Sequence, residues 1–246
     1  MDPLDFTGRG VVVTGGTRGI GAAIAAAFRA AGARVLVCGR RSRDLPDFFQ
    51  ADVRDPDQAA ALVAAAVDRF GRLDVLVNNA GGAPQAAAAT ASPRLHARVI
   101  ELNLIAPLHV SQAAHAVMAA QPEGGVILMV GSVSGTRPSP GTAAYGAAKA
   151  GLHHLATSLA AEWAPAVRVN SVVPGPVGNG GLDPEAVART VPLGRPATVQ
   201  EVAGVCLLLA SPLASYVSGA AVAVHGGGEW PGYLAHLRGT AYPAQK

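Results

Sequence analysis

Short apolar runs alternate with longer, alanine-rich segments of 3.6-residue period along the chain. The runs at 10–13, 34–38, 48–51, 75–77, 126–130, 168–172 and 221–224 are nearly continuous in Val, Leu and Ile. That pattern predicts seven strands covered on both faces, as in a parallel sheet. Between them, segments 20–31, 57–70, 93–120, 143–163 and 199–210 predict helices. Pro56 and Pro93 fall near helix starts, where a missing N–H is tolerated. Alternation of this length predicts an α/β fold, a doubly wound seven-stranded parallel sheet with helices on both faces and right-handed crossovers. Two places break the rhythm. The link from 38 to 48 is short for a crossover with its own helix and predicts a bare loop or single turn. The run PGPVGNGG, 174–181, lies just past a strand's C-terminal end, where open α/β sheets bind their ligands.

Composition narrows the class. The 246 residues are 50% hydrophobic, with 19 basic and 16 acidic side chains and a net charge of +3. No linker or repeat divides them, so a single domain over 1–246 is expected. A charge of +3 over this length does not argue for a nucleic-acid partner. Cys38 and Cys206 lie in apolar runs without metal-ligand spacing and read as buried thiols in a reducing compartment. The chain starts Met1-Asp2-Pro3-Leu4-Asp5, acidic where a signal peptide would be basic. Residues 202–224 carry no charge and are long enough to cross a bilayer. Pro212, Ser215 and Gly219 interrupt that stretch, so helix, loop and buried strand are expected instead. A cytoplasmic protein with no membrane contact is expected.

The first strand runs into Thr14-Gly15-Gly16-Thr17-Arg18-Gly19-Ile20-Gly21 and then a helix. Strand, glycine turn and helix N-terminus together form an anion site, with free N–H groups and the positive dipole end facing a pyrophosphate. At the end of the second strand, a carboxylate would bond the adenosine ribose and select NAD(H). This chain has Gly39, Arg40 and Arg41 there, with no acid before Asp44, and Arg18 lies in the turn. Guanidinium forks suit a 2′-phosphate, so NADP(H) is preferred and NAD(H) is the alternative. Asp52 and Val53, after the third strand, are placed to flank the adenine.

Of the 19 basic residues, only Lys149 and Lys246 are lysine. Lys149 follows Tyr145 by four on a predicted helix, which puts phenol and ammonium on one face. A cation about 5 Å from a phenol contributes roughly 3 kcal/mol at an effective dielectric of about 20. That is about two pKa units, enough to bring tyrosine toward its working range. Ser132, at the end of a strand, could hydrogen-bond a substrate carbonyl oxygen.

TGGTRGIG (14–21), NNAG (78–81), Asn103 in ELNL, GSVSG (131–135), YGAAK (145–149) and PGPV (174–177) occur in order. In this set the chain resembles the short-chain dehydrogenase/reductase family in its compact, Rossmann-type, single-domain form, over nearly its whole length. The resemblance implies that Tyr145 is the general acid in reduction and the base in oxidation. It implies that Lys149 lowers the tyrosine pKa and bonds the nicotinamide ribose, and that Ser132 polarises the carbonyl. Asn103 would hold a water in a proton relay to Lys149. Asn78, Asn79, Ala80 and Gly81 would lie on the adenosine side, with Asn78 also steadying the sheet, and Pro174, Gly175 and Val177 would border the nicotinamide. The cofactor set on this reading is Gly15, Thr17, Arg18, Gly19, Ile20, Gly21, Arg40, Asp52, Val53, Asn79, Ala80, Gly81, Tyr145, Lys149, Pro174, Gly175 and Val177.

Two positions depart from the family pattern. Asn179 stands where members often carry Thr, and His225 stands where Asp is common; His225 is read as a buried structural histidine. His153 and His154 read as a helix-surface pair, and no metal is implied. The expected substrate is a small carbonyl compound or alcohol, most similar to a 3-oxoacyl thioester, with a steroid or secondary-metabolite ketone as the second reading. A non-catalytic cofactor-binding regulator or scaffold is the alternative from another class. Residues 178–194 are expected to form a substrate loop closing over the site. The tail 229–246 carries Trp230, Tyr233 and Tyr242, an enrichment suited to an interface. The resemblance implies a homo-oligomer, tetramer or dimer, and the tail is expected to pack against a neighbouring subunit.

Overall fold

All seven expected strands form and join in one parallel sheet of order β3-β2-β1-β4-β5-β6-β7. The computed structural model describes residues 2–178 and 182–229. The strands are β1 (Gly10–Thr14), β2 (Arg34–Gly39), β3 (Phe48–Gln50), β4 (Val75–Asn78), β5 (Gly125–Val130), β6 (Val167–Pro174) and β7 (Ala221–Val224). Successive residues of β1 serve opposite faces, as the two-residue period of a strand requires. Val11 and Val13 pack with Ile24, Phe28, Val202 and Cys206 under helices α1 (Gly19–Ala30) and α7 (Val199–Ala210). Val12 packs with Leu62, Val110 and Leu152 under α2 (Pro56–Phe70), α4 (Ala106–Met118) and α5 (Ala143–Glu162). Strand order reverses between β1 and β4, which opens a crevice at their C-terminal ends.

Local chemistry fixes the helix starts. Asp55 caps α2, accepting from the Asp57 and Gln58 amides, with Pro56 in the first turn. Ser92 and Pro93 do the same for α3 (Pro93–Ile100), and Thr198 with Glu201 forms a capping box on α7. At the far end of the sheet, buried Asp74 ties β1 to β4. It accepts from the Gly10 amide at 2.8 Å, from Arg9 at 2.8 Å and from both nitrogens of the Arg72 fork.

The structure departs from the expected elements in two places. The helix expected over 93–120 is three pieces: α3, a π-helical turn at Glu101–Ile105, and α4. Pro107 supplies no N–H to the ladder, and bonding over the turn shifts to i→i−5, with the Ala106 amide on the Glu101 carbonyl. Within 178–194, Pro184–Thr190 forms a short helix, α6, capped by Asp183. Between β2 and β3 there is no helix, as the short link predicts. The uncharged stretch 202–224 resolves into α7, a 3-10 turn at Pro212–Ala214 and β7. Among the described residues no helix is long and apolar enough to cross a membrane.

Candidate active site

A cleft of about 920 Å³ opens at the C-terminal ends of the strands. It gathers the whole cofactor set given above, together with Ser132; Asn78 and Asn103 stand outside its lining. The glycine turn forms its floor. Gly15 and Gly19 have φ of +63° and +54°, which L side chains rarely adopt. A Cβ on Gly21 would lie 2.3 Å from Asn79 Nδ2 and 2.5 Å from the Gly15 carbonyl. Asn79 clamps the turn, its side-chain amide donating to the Thr14 and Gly15 carbonyls at 3.0 and 3.2 Å. Thr14 Oγ1 accepts from the Asn79 and Ala80 amides, both at 2.9 Å, and so joins β1 to β4 beneath the cleft. No side chain caps the N-terminus of α1, and the space in front of Gly19 is open. A dinucleotide pyrophosphate fits this cradle of bare amides at a helix dipole.

At the end of the cleft beside β2, Arg40 follows the strand directly and is exposed, and its carbonyl accepts from Gln50 Nε2. Asp52 does not stand free, because the Arg54 fork engages its carboxylate at 2.9 and 2.5 Å. The Arg54 hydrogen bond also holds the Asp52 carboxyl below the usual range. Asn78 is turned away from the cleft rather than lining it, and takes the other part expected of it, steadying the sheet. Its amide donates to Ser111 Oγ at 2.9 Å and packs on Met129, joining β4 to α4.

At the opposite end, Ser132 follows β5, and Tyr145 and Lys149 stand one turn apart on α5. Lys149 is buried, with its ammonium donating to the Val130 carbonyl at 2.7 Å and lying 5.6 Å from the centre of the Tyr145 ring. Burial pulls its pKa down to about 8. Burial also raises the Tyr145 phenol, against a hydrogen bond with Ser132 that lowers it. In the ligand-free protein the phenol is therefore raised, where the sequence reading expected Lys149 to bring it down; the ammonium is hydrogen-bonded to a backbone carbonyl. The hydroxyl of Ser132 also accepts from the Ser134 amide at 3.1 Å.

Asn103 is fully buried in the π-helical turn. Its Oδ1 accepts from the Gly82 amide, and its Nδ2 donates to the Gly82 and Val99 carbonyls, all at 2.9 Å. Both Nδ2 hydrogens and one lone pair of Oδ1 are thus bonded to backbone, so the side chain anchors the cleft wall. A Cβ on Gly81 would lie 2.7 Å from Asn103 Oδ1 and 3.4 Å from Lys149 Nζ, so a glycine is what lets the two flank that wall.

Sequence reading did not assign the lining residues Ala51, Gly82, Leu102 and Val130 to the site. The proximity of 82 and 102 follows from the π-helical turn, and Pro107 was its available signal. His153 is also misplaced by that reading. His154 is exposed, but the His153 ring is half-buried against the Ser132 loop. His225 is half-buried rather than buried, stands against Gly175, and lines a separate cavity of about 520 Å³ with Val191, Leu193 and Leu208. Asn179 and residues 230–246, with Trp230, Tyr233 and Tyr242, lie outside the described residues.

Residues 15–229 match a family profile, adh_short_C2, described as enoyl-(acyl carrier protein) reductase. The chain belongs to the short-chain dehydrogenase/reductase family. It is similar to the 3-oxoacyl-(acyl-carrier-protein) reductase MabA of Mycobacterium bovis, 38% identical over 90% of this chain and 93% of that one. It is also similar to a probable 2,4-dienoyl-CoA reductase of Bacillus subtilis, 35% identical over 90% of this chain and 96% of that one. The ligand-free aldohexose dehydrogenase of Thermoplasma acidophilum superposes with a TM-score of 0.85 at 29% identity, covering 92% of this chain and 94% of that one. Membership makes the protein an oxidoreductase of this type, with a nicotinamide cofactor and a small-molecule substrate.

Proposed function

We propose that the protein is a cytoplasmic, homo-oligomeric, NADP(H)-dependent reductase of a ketone resembling a 3-oxoacyl thioester, with the alcohol oxidation as its reverse. The observation that carries this is one continuous cleft with the glycine turn and Arg18 and Arg40 at one end, and Ser132, Tyr145 and Lys149 at the other. The Mycobacterium bovis relative supports the substrate class. Val177 and Leu182, on the cleft wall beside Pro176, suit an apolar acyl stem, and residues 178–194 would serve as the substrate loop.

When bound, the cofactor supplies hydride at its nicotinamide. Gly15, Gly19 and Gly21 keep side chains out of the pyrophosphate cradle, and the amides at the start of α1 would hold it. Arg18 and Arg40 would take the 2′-phosphate with forked donors. Ser132 Oγ–H donates to the substrate carbonyl oxygen and polarises it. Tyr145 gives that oxygen its proton, and the phenolate left behind faces the Lys149 ammonium. In a buried pocket that charge favours the phenolate more strongly than it would in water. In the oxidative direction the same phenol takes the proton back.

The test follows absorbance at the reduced nicotinamide with acetoacetyl-CoA as substrate, comparing NADPH with NADH. Tyr145→Phe should lose turnover by about 10²–10⁴-fold while still binding NADPH, the range for one general acid. Unimpaired turnover by Tyr145→Phe refutes the assignment, and equal use of NADH refutes the cofactor preference.

A further inference from the structure

Tyr145, Lys149 and His153 follow one another at i, i+4 and i+8 on α5, and so lie along one face of the helix. The first two line the cleft and the third lies behind it. The imidazole of His153 is in contact with the loop that carries Ser132. Its Nε2 accepts from the Ser132 backbone amide at 3.5 Å. The flanking glycines mark how closely the ring is seated. A Cβ on Gly131 would lie 2.2 Å from Nε2 and 2.8 Å from Cδ2, and one on Gly135 would lie 3.0 Å from Cε1. Gly131 is therefore shaped to this side chain, whereas at Gly135 the α5 backbone stands closer than the ring, with Ala150 N at 2.6 Å and the Lys149 carbonyl carbon at 2.7 Å. From its other side the Gly131 amide donates to the Val172 carbonyl of β6 at 2.7 Å, so residue 131 is held between strand and imidazole. Burial, and then the Lys149 charge, lower the His153 pKa below its usual 6.5. The ring is thus neutral at pH 7 and keeps an acceptor nitrogen.

We propose that His153 is a positioning residue for the reduction. By accepting the Ser132 amide and filling the space beside Gly131 and Gly135, it fixes where the Ser132 hydroxyl points. The inference rests on the catalytic reading of Ser132 and Tyr145 given above. His153 touches neither substrate nor cofactor in this scheme; it acts through the loop. An acceptor at Nε2 requires the proton on Nδ1, so the contact also fixes the tautomer.

Nitrogen NMR on the ligand-free protein reads the contact directly. The His153 imidazole, assigned by its absence in His153→Gln, should be the Nδ1-protonated tautomer near neutral pH, and an Nε2-protonated ring overturns the proposal. Kinetics with acetoacetyl-CoA and NADPH read the consequence. His153→Leu keeps bulk but no acceptor, and should lower kcat by about ten- to a hundred-fold, the scale of a small misplacement of a reacting group. Its NADPH dissociation constant should be unchanged. His153→Gln places a neutral oxygen within reach of the same amide and should recover kcat to within about three-fold. Wild-type kcat in His153→Leu, or an equal fall in both variants, overturns the proposal in favour of packing alone. Ser132→Ala separates the two readings. If it is as active as wild type, or if wild type does not reduce the thioester, the catalytic reading fails and with it the role of His153. If Ser132→Ala is inactive and His153→Leu is not, only the role of His153 fails.

Discussion

Lys149 should make the ligand-free protein more stable as the solution becomes more alkaline, a direction opposite to that of its buried thiols. Its ammonium is buried and its pKa falls from 10.5 to about 8 on folding. A lysine depressed in the folded state must be charged at a cost below pH 8, and that cost is relieved as pH rises from the folded value toward the unfolded one. Between the two values the unfolded chain holds the proton and the native one does not, so unfolding free energy rises with pH. Integrated from pH 7 to 9, this one group adds about 1.3 kcal/mol. Burial pushes Cys38 up to about 11 and Cys206 up to about 12, from 9.0. Each keeps its proton when folded, and each therefore withdraws roughly 0.4 kcal/mol by pH 9. Wild type should gain stability over this interval, whereas Lys149→Met should lose it as the thiols alone act. The assay is urea unfolding of both proteins at pH 7, 8 and 9, with thermal midpoints as a check. Their difference should move by about 1 kcal/mol in favour of wild type, or roughly 2–4 °C for a chain of this size. If Lys149→Met shows the same alkaline gain as wild type, the buried ammonium is not its source and the reasoning is wrong.

Three further outcomes follow from the same geometry. Gly21→Ala puts a methyl 2.3 Å from Asn79 Nδ2, so the clamp on the glycine turn must shift; NADPH affinity, by fluorescence titration, should fall about ten-fold or more, and wild-type affinity would show that the clamp is slack. Arg40→Ala should cost about ten- to a hundred-fold in NADPH binding, the range for a charge-assisted hydrogen bond, and leave NADH binding unchanged; equal losses for both would remove Arg40 from the 2′-phosphate. At Asp74, burial opposes ionisation, but Arg72, the Gly10 amide and Arg9 hold the folded carboxyl below 3.8. Its stability is present above that value and lost as pH falls through the folded one. Asp74→Asn should therefore be destabilised by about 2 kcal/mol at pH 7 and show a shallower acid loss; parallel acid curves would exclude Asp74 as a contributor.

The fold was legible because a parallel sheet covered on both faces writes itself as continuous apolar strands, and seven such runs have no other economical packing. Even the missing crossover helix between β2 and β3 could be read from a link too short to contain one. The π-helical turn was not legible as hydrophobic period, because residues 93–120 keep helical spacing through it. Its trace was chemical: Pro107 lacks the N–H that an unbroken ladder needs. Helix α6 is seven residues long and sits among glycines, below the length at which periodicity separates it from loop.

The site divides along a different line. Residues whose role depends on backbone position could be placed from spacing, which is why the glycine turn and the Tyr145–Lys149 pair converge as expected on one cleft. Residues whose role depends on where a side chain points could not. Asn103 carries the same amide whether it holds a water or bridges Gly82 to Val99, and only the fold shows that its bonds go to backbone. His153 and His154 are the sharper case. Adjacent helix residues point about 100° apart, so one of a pair can be exposed and the other inward, and the choice follows from helix rotation. That rotation was already set by Tyr145 and Lys149, which must share the cleft face. Four residues beyond Lys149 is His153, not His154, so the sequence held the orientation once the catalytic pair was accepted. The glycine at 131 is the matching half of the contact, and on this reading it is as much a signature of the imidazole as of a tight turn.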